Sequence, residues 1–513
     1  MKRIFLSLLI IPFLGVATAQ TAWDGLLFSQ NYYGGTARFT AMGGAFTALG
    51  GDLSALNINP AGIGVFRNWE LSITPAVTYN LTDATYLNNK ASDSYTNFGL
   101  DNLGLVFGVY DNTNESMPIS FNLGITFNRM NQYHKRTSAS GISRNSSFVG
   151  ALAVATDRIN PADLDAQDAY NKTSNWSSVM AWRTYLIDVL PNTTDQYYGT
   201  TETIRPDGTI VVAGDLRQDY FKEESGNTVE YLFSFGGNIY DVFHFGIGFG
   251  FQSIWQDVKT TISEAAVNPS NFETGFNSMS YYLDMGTRGV GYNIKLGVLL
   301  RPIAGLRWGA YFHSPTWMSL TNHYWEERMN AKYDVTATAP AAFYSEQAPA
   351  SEYDYSITTP IKWGTGLAYV IGNNAVVSVE YEGQDFSTTK MRGHNHAKLP
   401  YVGGDTKYMY EDDYTKDNFK LVSNIRAGVE YRLPQLSFRL GYAYYGSPVK
   451  NNDNLARNIF ALGLGYRNNG FYVDGTYSFS PNMDNNYTIY TDSPIMTTNS
   501  YFGKIAVTVG FRF

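Results

Sequence analysis

Cysteine is absent from the whole chain. That excludes a disulfide framework, a thiolate metal site, a cysteine nucleophile and a lipid-modified N-terminal cysteine. Charge is scarce as well: Asp, Glu, Lys and Arg make up 16 % of the residues, against roughly 25 % in a typical soluble protein. The balance is weakly acidic, with 37 Lys+Arg against 45 Asp+Glu, which argues against nucleic acid as a partner. Beyond the N-terminal segment no apolar run approaches the roughly 20 residues of a spanning helix, and mean hydropathy is -0.23. Neither a G-x-S-x-G elbow nor an H-E-x-x-H pair is present, so no enzyme is expected and no cofactor is called for. What is plentiful is aromatic or small: 39 Tyr, 31 Phe and 48 Gly in 513 residues. Few charges, many tyrosines and glycines and no helical span together describe an all-β chain, a transmembrane antiparallel β-barrel.

Both ends of the chain support that reading. Lys2 and Arg3, the apolar run Ile4 to Val16 and the small-residue site Ala17-Thr18-Ala19 read as a secretory signal, residues 1–19, cleaved before Gln20. At the other end, Tyr501, Ile505, Val507, Val509, Phe511 and Phe513 alternate with Lys504, Ala506, Thr508, Gly510 and Arg512. A last strand ending in Phe resembles the signal read by the barrel-assembly machinery of Gram-negative outer membranes. Phe513 is the residue that resemblance assigns to the contact.

The same period-two pattern recurs about fourteen times. The spans are 69–81, 102–110, 119–130, 228–239, 243–257, 289–301, 305–316, 361–371, 375–388, 419–432, 436–446, 457–467, 470–480 and 500–513. Most are close to the roughly 9–11 residues that cross a bilayer at a tilt. Tight connections such as Tyr240-Asp241-Val242 and Asn468-Asn469 alternate with long polar loops at 131–227, 258–288, 317–360 and 389–418. Short turns on the periplasmic side and long loops outside are the asymmetry of outer-membrane barrels. The barrel is therefore expected over 69–513. Within its longest loop, Asn160-Pro161 reads as a helix start, and Val179, Trp182, Leu186, Val189 and Leu190 follow a helical period.

Residues 20–68 precede the first strand and are rich in Gly, Ala and Asn. They carry Phe39, Met42, Phe46, Leu49, Leu53 and Leu56, which suit a compact plug better than a flexible leader. A lumen of about fourteen strands is too wide for its own side chains to fill. Gly43-Gly44-Ala45-Phe46, Asp52 and Asn59-Pro60-Ala61-Gly62 stand in an order and spacing that resemble the N-terminal hatch of the FadL-type family, outer-membrane channels for long-chain fatty acids and aromatic hydrocarbons. The resemblance implies a hydrophobic small-molecule ligand, capture by the loops after strands three and seven, gating by the hatch and a lateral exit at a kink in the third strand. Long-chain fatty acids are the expected ligand, and a monomer among outer-membrane lipids is the expected state. Trp176, Trp182, Tyr185, Leu186, Trp317, Tyr324 and Trp325 are the candidate capture residues. Lys295, Arg301, Arg307, Arg426 and Arg439 are candidate partners for a carboxylate, or else members of a salt-bridge lattice with Glu380, Glu382 and Glu430. The third strand shows no Gly or Pro signal for a kink. Some relatives of this kind are labelled haemin receptors, and His394-Asn395-His396 with His134 leaves that alternative open, beside a non-specific porin or an adhesive barrel.

Overall fold

The structure is a computed structural model and describes residues 21–111, 118–168, 174–372, 374–393 and 404–513. The signal segment and the His394-Asn395-His396 pair of histidines lie outside the described residues.

The alternating segments form fourteen antiparallel strands in one closed ring. They are β1 (Glu70–Tyr86), β2 (Asn89–Asp111), β3 (Ile119–Gln132, resumed at Lys135–Ser143), β4 (Leu216–Ile239) and β5 (Phe243–Ala266). Then come β6 (Phe276–Ile303), β7 (Leu306–His313, resumed at Trp317–Tyr333), β8 (Ser351–Thr358, resumed at Lys362–Ile371) and β9 (Ala375–Asp385, resumed at Lys390–Gly393). Strands β10 (Leu421–Arg432), β11 (Leu436–Tyr445), β12 (Arg457–Asn468), β13 (Phe471–Thr488) and β14 (Ile495–Arg512) complete the ring. Closure is made by β1 against β14, in register from Glu70 opposite Arg512 to Thr85 opposite Thr497. The Phe513 amide donates to the Trp69 carbonyl at 3.0 Å. A closed ring leaves no sheet edge facing lipid, the condition a spanning sheet must meet. No helix among the described residues is long and apolar enough to cross a membrane.

Side-chain alternation sorts the wall. Leu71, Phe233, Phe249, Leu296, Leu367, Val429, Leu440, Leu464 and Ile505 stand exposed on the outer face. Glu230, Lys295, Glu380, Glu382, Arg426, Glu430, Arg439 and Asp474 are buried on the inner one. An apolar exterior around a charged interior is the reverse of a water-soluble sandwich and belongs to a multi-pass barrel in an outer membrane. At one end the turns are tight. Tyr240-Asp241 and Asn469-Gly470 have positive φ at both residues, the type I′ geometry that matches strand twist. This is the end that the outer-membrane asymmetry assigns to the periplasm, and it is called the periplasmic end on that ground.

At the other end the strands run on past the membrane. Residues 258–266 and 276–288, expected as loop, are the paired tips of β5 and β6. Much of 317–360 continues β7 and β8, and β1 meets β2 through Leu87 and Asn88 alone. The segment between β3 and β4 folds over α3 (Phe148–Thr156), α4 (Pro161–Ala166) and α5 (Trp176–Arg183) around a core that includes Phe148, Leu152, Val179, Leu186 and Tyr490. Asn160 caps α4 as its sequence promised, accepting from the Ala162 amide at 2.9 Å. Glu264 fastens this cap to the barrel. Its carboxylate accepts from the Phe148 amide at 2.6 Å and the Gln218 amide at 2.6 Å, and burial pushes its carboxyl above the usual range.

Residues 21–68 lie inside the ring as α1 (Ala22–Ser29), α2 (Ala37–Ala41) and two tight turns at Ser54–Asn57 and Pro60–Val65. Phe39, Met42, Phe46, Ala48 and Leu49 pack with Tyr311, Ala368 and Val376 of the wall. Leu53, Leu56, Ile63 and Phe66 pack with Val106 and Leu232. The wall makes room for this backbone with inward glycines. A Cβ at Gly441 of β11 would overlap the Gly43 amide, and one at Gly246 of β5 would overlap the Pro60 carbonyl. Gly441→Val should therefore lift the segment from the wall and raise the influx of a hydrophilic antibiotic, while the unheated protein keeps the fast gel mobility of a folded barrel. Unchanged influx would show that the close approach does not hold the lumen shut.

Candidate functional site

The wall grips the inner segment through buried charge. Glu430 of β10 accepts from Arg38 Nε of α2 at 2.9 Å and from Arg439 Nε of β11 at 2.6 Å. Arg439 also holds Asp474 at 2.6 Å. One strand over, Glu380 accepts the Phe46 amide at 3.1 Å and the Thr47 amide at 3.0 Å while pairing with Arg426 at 2.7 Å. Arg426 reaches Glu382 at 2.8 Å, where Tyr311 donates at 2.7 Å and Tyr33 at 3.3 Å. Lys295 bridges Glu230 and Asn57, and the His313 ring meets the Ile58 carbonyl at 2.7 Å. Such pairs hold their geometry because breaking one strands a buried charge, at about 3–5 kcal/mol.

The motif residues shape the inner segment itself. The Asn59 amide donates to the carbonyls of Thr47 at 2.7 Å and Val298 at 3.0 Å, and its oxygen accepts from Ala61 at 3.1 Å. Pro60 follows as the first residue of its turn. Asp52 accepts from the Thr36 hydroxyl at 2.8 Å and the Ser54 amide at 2.9 Å. Gly43 and Gly44 both take positive φ, and Gly62 lies against Gly50.

Above α2 the segment and the wall enclose a cavity of about 60 Å³. Tyr32, Tyr33, Gly43 and Gly44 supply its floor, and Thr78, Arg129, Gln132, Tyr445, Arg457, Phe502 and Lys504 its walls. Arg129 and Lys504 are both committed to Asp101. Arg457 is not: its guanidinium sits 4.4 Å from the Tyr32 ring centre and 4.8 Å from that of Phe502. Its Nε is buried without a hydrogen-bond partner, and no carboxylate pairs with it among the described residues. A cation between two rings suits a molecule with an acid head and an apolar tail.

Beside this cavity the wall is unzipped. The β2–β3 ladder runs from Asp111 opposite Ser120 to Asn102 opposite Asn128 and stops. Above it, β2 from Asn89 to Asp101 pairs only with β1 among the described strands. Strand β3 bulges at Arg129 to Asn131, breaks after Gln132 and crosses behind the β1–β2 hairpin. The Thr78 hydroxyl donates to Gln132 at 3.0 Å, and Tyr95 stacks on His134 at 5.2 Å. No Gly or Pro stands at this break between Arg129 and Lys135. Ordinary side chains make it.

Two solved structures share the architecture. The toluene transporter TodX of Pseudomonas putida superposes with a TM-score of 0.50 at 13 % identity, over 94 % of this chain and all of that one, 100 %. A FadL homologue of Pseudomonas aeruginosa gives 0.50 at 12 % identity over 94 % and 99 %. The chain has the FadL-type fold. No protein-family model matches its sequence, and no curated protein does either.

Within that FadL-type barrel, the residues expected from sequence to handle ligand do not converge. Arg439 is fully buried in the ion lattice, its Nε and Nη1 taken by Glu430 and Asp474, and it lines neither cavity. Arg307 lies near the periplasmic end of β7 and donates to the Leu49 carbonyl at 3.0 Å. Leu186 is in the core of the outer cap. Trp182 bonds Asp165 at 2.8 Å, and Tyr185, exposed with φ 58, packs on Tyr344. Trp317 and Trp325 are exposed, the first beside Tyr292 and the second over Arg288. Trp317 and Tyr292 point outward in register, the place of an interfacial aromatic girdle. Among the described residues no three His, Asp or Glu side chains gather as a metal site.

Arg457, Tyr32 and Phe502 were not singled out from sequence. Arg457 opens its strand on the inward parity, and that was the available signal. At the mouth, α1 docks on Phe386, Phe419, Val422 and Val449. Burial pushes the Asp24 carboxyl up to about 6; the Thr21 amide opposes this, Glu411 adds to it and Lys222 works against it. A carboxyl raised in the docked state favours docking at low pH, and that contribution is lost as pH rises through 6. Rate-corrected hydrogen exchange of residues 22–29 should therefore slow between pH 7.5 and 5, and Asp24→Asn should remove the difference.

Proposed function

We propose that this chain is an outer-membrane channel for hydrophobic small molecules, with long-chain fatty acids as its ligand class and residues 21–68 as a gating hatch. The observation that carries this reading is Arg457, set between Tyr32 and Phe502 with no carboxylate partner among the described residues, in a cavity bounded by the hatch and adjoining the open seam between β2 and β3. An unsubstituted aromatic hydrocarbon offers that cation only another ring face, which Tyr32 and Phe502 already supply, whereas a fatty acid brings the missing counter-charge. Each methylene taken from water contributes about 0.8 kcal/mol, so the chain supplies affinity while the acid head sets orientation. The cavity of about 60 Å³ is small against a whole long-chain acid. Further insertion requires Tyr32 to Gly34 to yield, which couples ligand to the segment held by Asn59 and Asp52. The two structural neighbours are a toluene transporter and a FadL homologue by description, and this supports a hydrophobic cargo without choosing between acid and hydrocarbon. The seam offers a sideways path into the bilayer, and Gly43, Gly44, Phe46, Pro60, Ala61 and Gly62 are the hatch positions where a shift would begin.

Oleate uptake by a host lacking its own fatty-acid channel tests the reading. Expression of this chain should restore uptake, and Asn59→Ala with Pro60→Ala should abolish it at equal surface level. Arg457→Gln should weaken oleate binding about tenfold, the value of one charge-assisted hydrogen bond, and change toluene binding less than about twofold. Equal losses for both ligands would assign Arg457 a structural role, and absence of oleate uptake by a folded barrel would remove fatty acids as the cargo.

A further inference from the structure

A second, larger cavity of about 290 Å³ lies on the opposite side of the inner segment, at the periplasmic end. Its ceiling is Leu49, Gly50, Gly51 and the Val65–Asn68 lead into β1. Its rim is arginine. Arg307, Arg432, Arg467 and Arg512 come from the periplasmic ends of β7, β10, β12 and β14, and Arg38 and Arg67 come from the inner segment. Glu70 is the one carboxylate in that lining.

The partners of these six cations do not balance them. Arg512 holds Glu70 at 2.7 Å. Arg38 and Arg432 share Glu430, which Arg439 also uses. Arg67 shares Asp241 with Arg301. Arg307 has a backbone carbonyl, and Arg467 has the ring of Tyr472 at 5.7 Å, with its Nε buried and unbonded. Neither has an ion pair among the described residues. Six guanidinium groups, four from separate strands and two from the inner segment, are walled by low-dielectric protein, repel one another and focus a positive potential on the space between them. The counter-charge that fits is an oxyanion presenting two oxygens side by side, because the guanidinium fork matches carboxylate and phosphate.

We propose that this vestibule is an oxyanion-binding site, with Arg307 and Arg467 as its uncommitted forks. Its ligand is a carboxylate or phosphate, arriving either as the acid end of a molecule that has passed the hatch or as a free anion of the periplasm. The site goes beyond the uptake reading, because it lies across the hatch from Arg457 and needs no cargo to exist.

The test uses the full-length barrel in an uncharged detergent, with equilibrium dialysis of inorganic phosphate and of decanoate. One phosphate per chain should bind with a dissociation constant of about a millimolar or better. Arg307→Gln with Arg467→Gln should weaken it at least about tenfold, Arg307→Lys with Arg467→Lys should retain part of it, and Arg457→Gln should leave it unchanged. The unheated gel mobility of each variant reports the fold. Decanoate that displaces phosphate, and loses that competition in the double Gln variant, identifies the acid end of a cargo. Phosphate binding that decanoate does not displace identifies a free oxyanion. Absence of saturable binding of either probe, or binding equal in the native chain and the double Gln variant, overturns the site. Loss of oleate uptake in Arg457→Gln with phosphate binding intact keeps the two readings separate.

Discussion

A wall of fourteen strands encloses more space than its own side chains fill, and every inward charge in that space must find a partner or a solvent. The pairing of Glu430 with Arg38, and of Glu380 with the Phe46 and Thr47 amides, is where both demands are met. The wall supplies carboxylates and the inner segment supplies an arginine and backbone N–H groups. Buried pairs of this kind add little net stability over an apolar substitute, since desolvation offsets most of the attraction. What they add is position. A greasy plug slides in a greasy tube, whereas Glu430 fixes Arg38, and Glu380 fixes the turn at residues 46 and 47, against particular strands. The small inward residues follow from the same arrangement, because hydrogen bonds between wall and segment require their backbones to come close.

The barrel was readable because membrane strands face two environments that differ sharply. Leu436, Phe438, Leu440 and Tyr442 meet lipid while Ser437, Arg439, Gly441 and Ala443 meet the lumen, and period two follows directly. Past the membrane that contrast vanishes. Residues 258–266 and 276–288 have no lipid on their outer face, and Ile262, Phe276 and Met279 face the core of the outer cap instead, so the strands continue without the pattern that announces them. The kink in β3 was hidden for another reason. Its break rests on Gln132 reaching Thr78 and His134 stacking on Tyr95, contacts across the barrel that no local propensity encodes.

The site was legible only in part. Asn59-Pro60-Ala61-Gly62 marked a turn, and the structure gives Asn59 three hydrogen bonds that join two parts of the inner segment to β6. Trp317 lies away from the cavity, because an aromatic in an outer strand tip serves an interface as readily as a ligand. Trp317 stands on the outward parity beside Tyr292, and one residue of register decides that. Arg439 and Arg457 share the inward parity of neighbouring strands. One faces Glu430 and Asp474 and the other faces two rings. The difference lies in what the ring closure and the inner segment bring opposite each, which the sequence of either strand does not contain.

Taken along the barrel axis, the interior passes through three electrostatic regimes. On the outer side of α2, Arg457 stands alone among aromatic rings. In the middle the charges of Glu380, Glu382, Arg426, Glu430 and Arg439 pair closely. At the periplasmic end the arginines outnumber their partners. A uniform aqueous pore has no reason to separate such a cation from a paired belt and a cationic rim, whereas the proposed gated path for an acid does. In the proposed route the first cation draws the head in, and the belt, whose charges engage one another, holds it less. The rim then offers a second attraction beyond the barrier. The turns between them, Gly43-Gly44 and Gly50-Gly51 at positive φ, are where the segment can change course with the least steric cost. In the proposed route those glycine pairs, rather than the paired charges, are the parts that move.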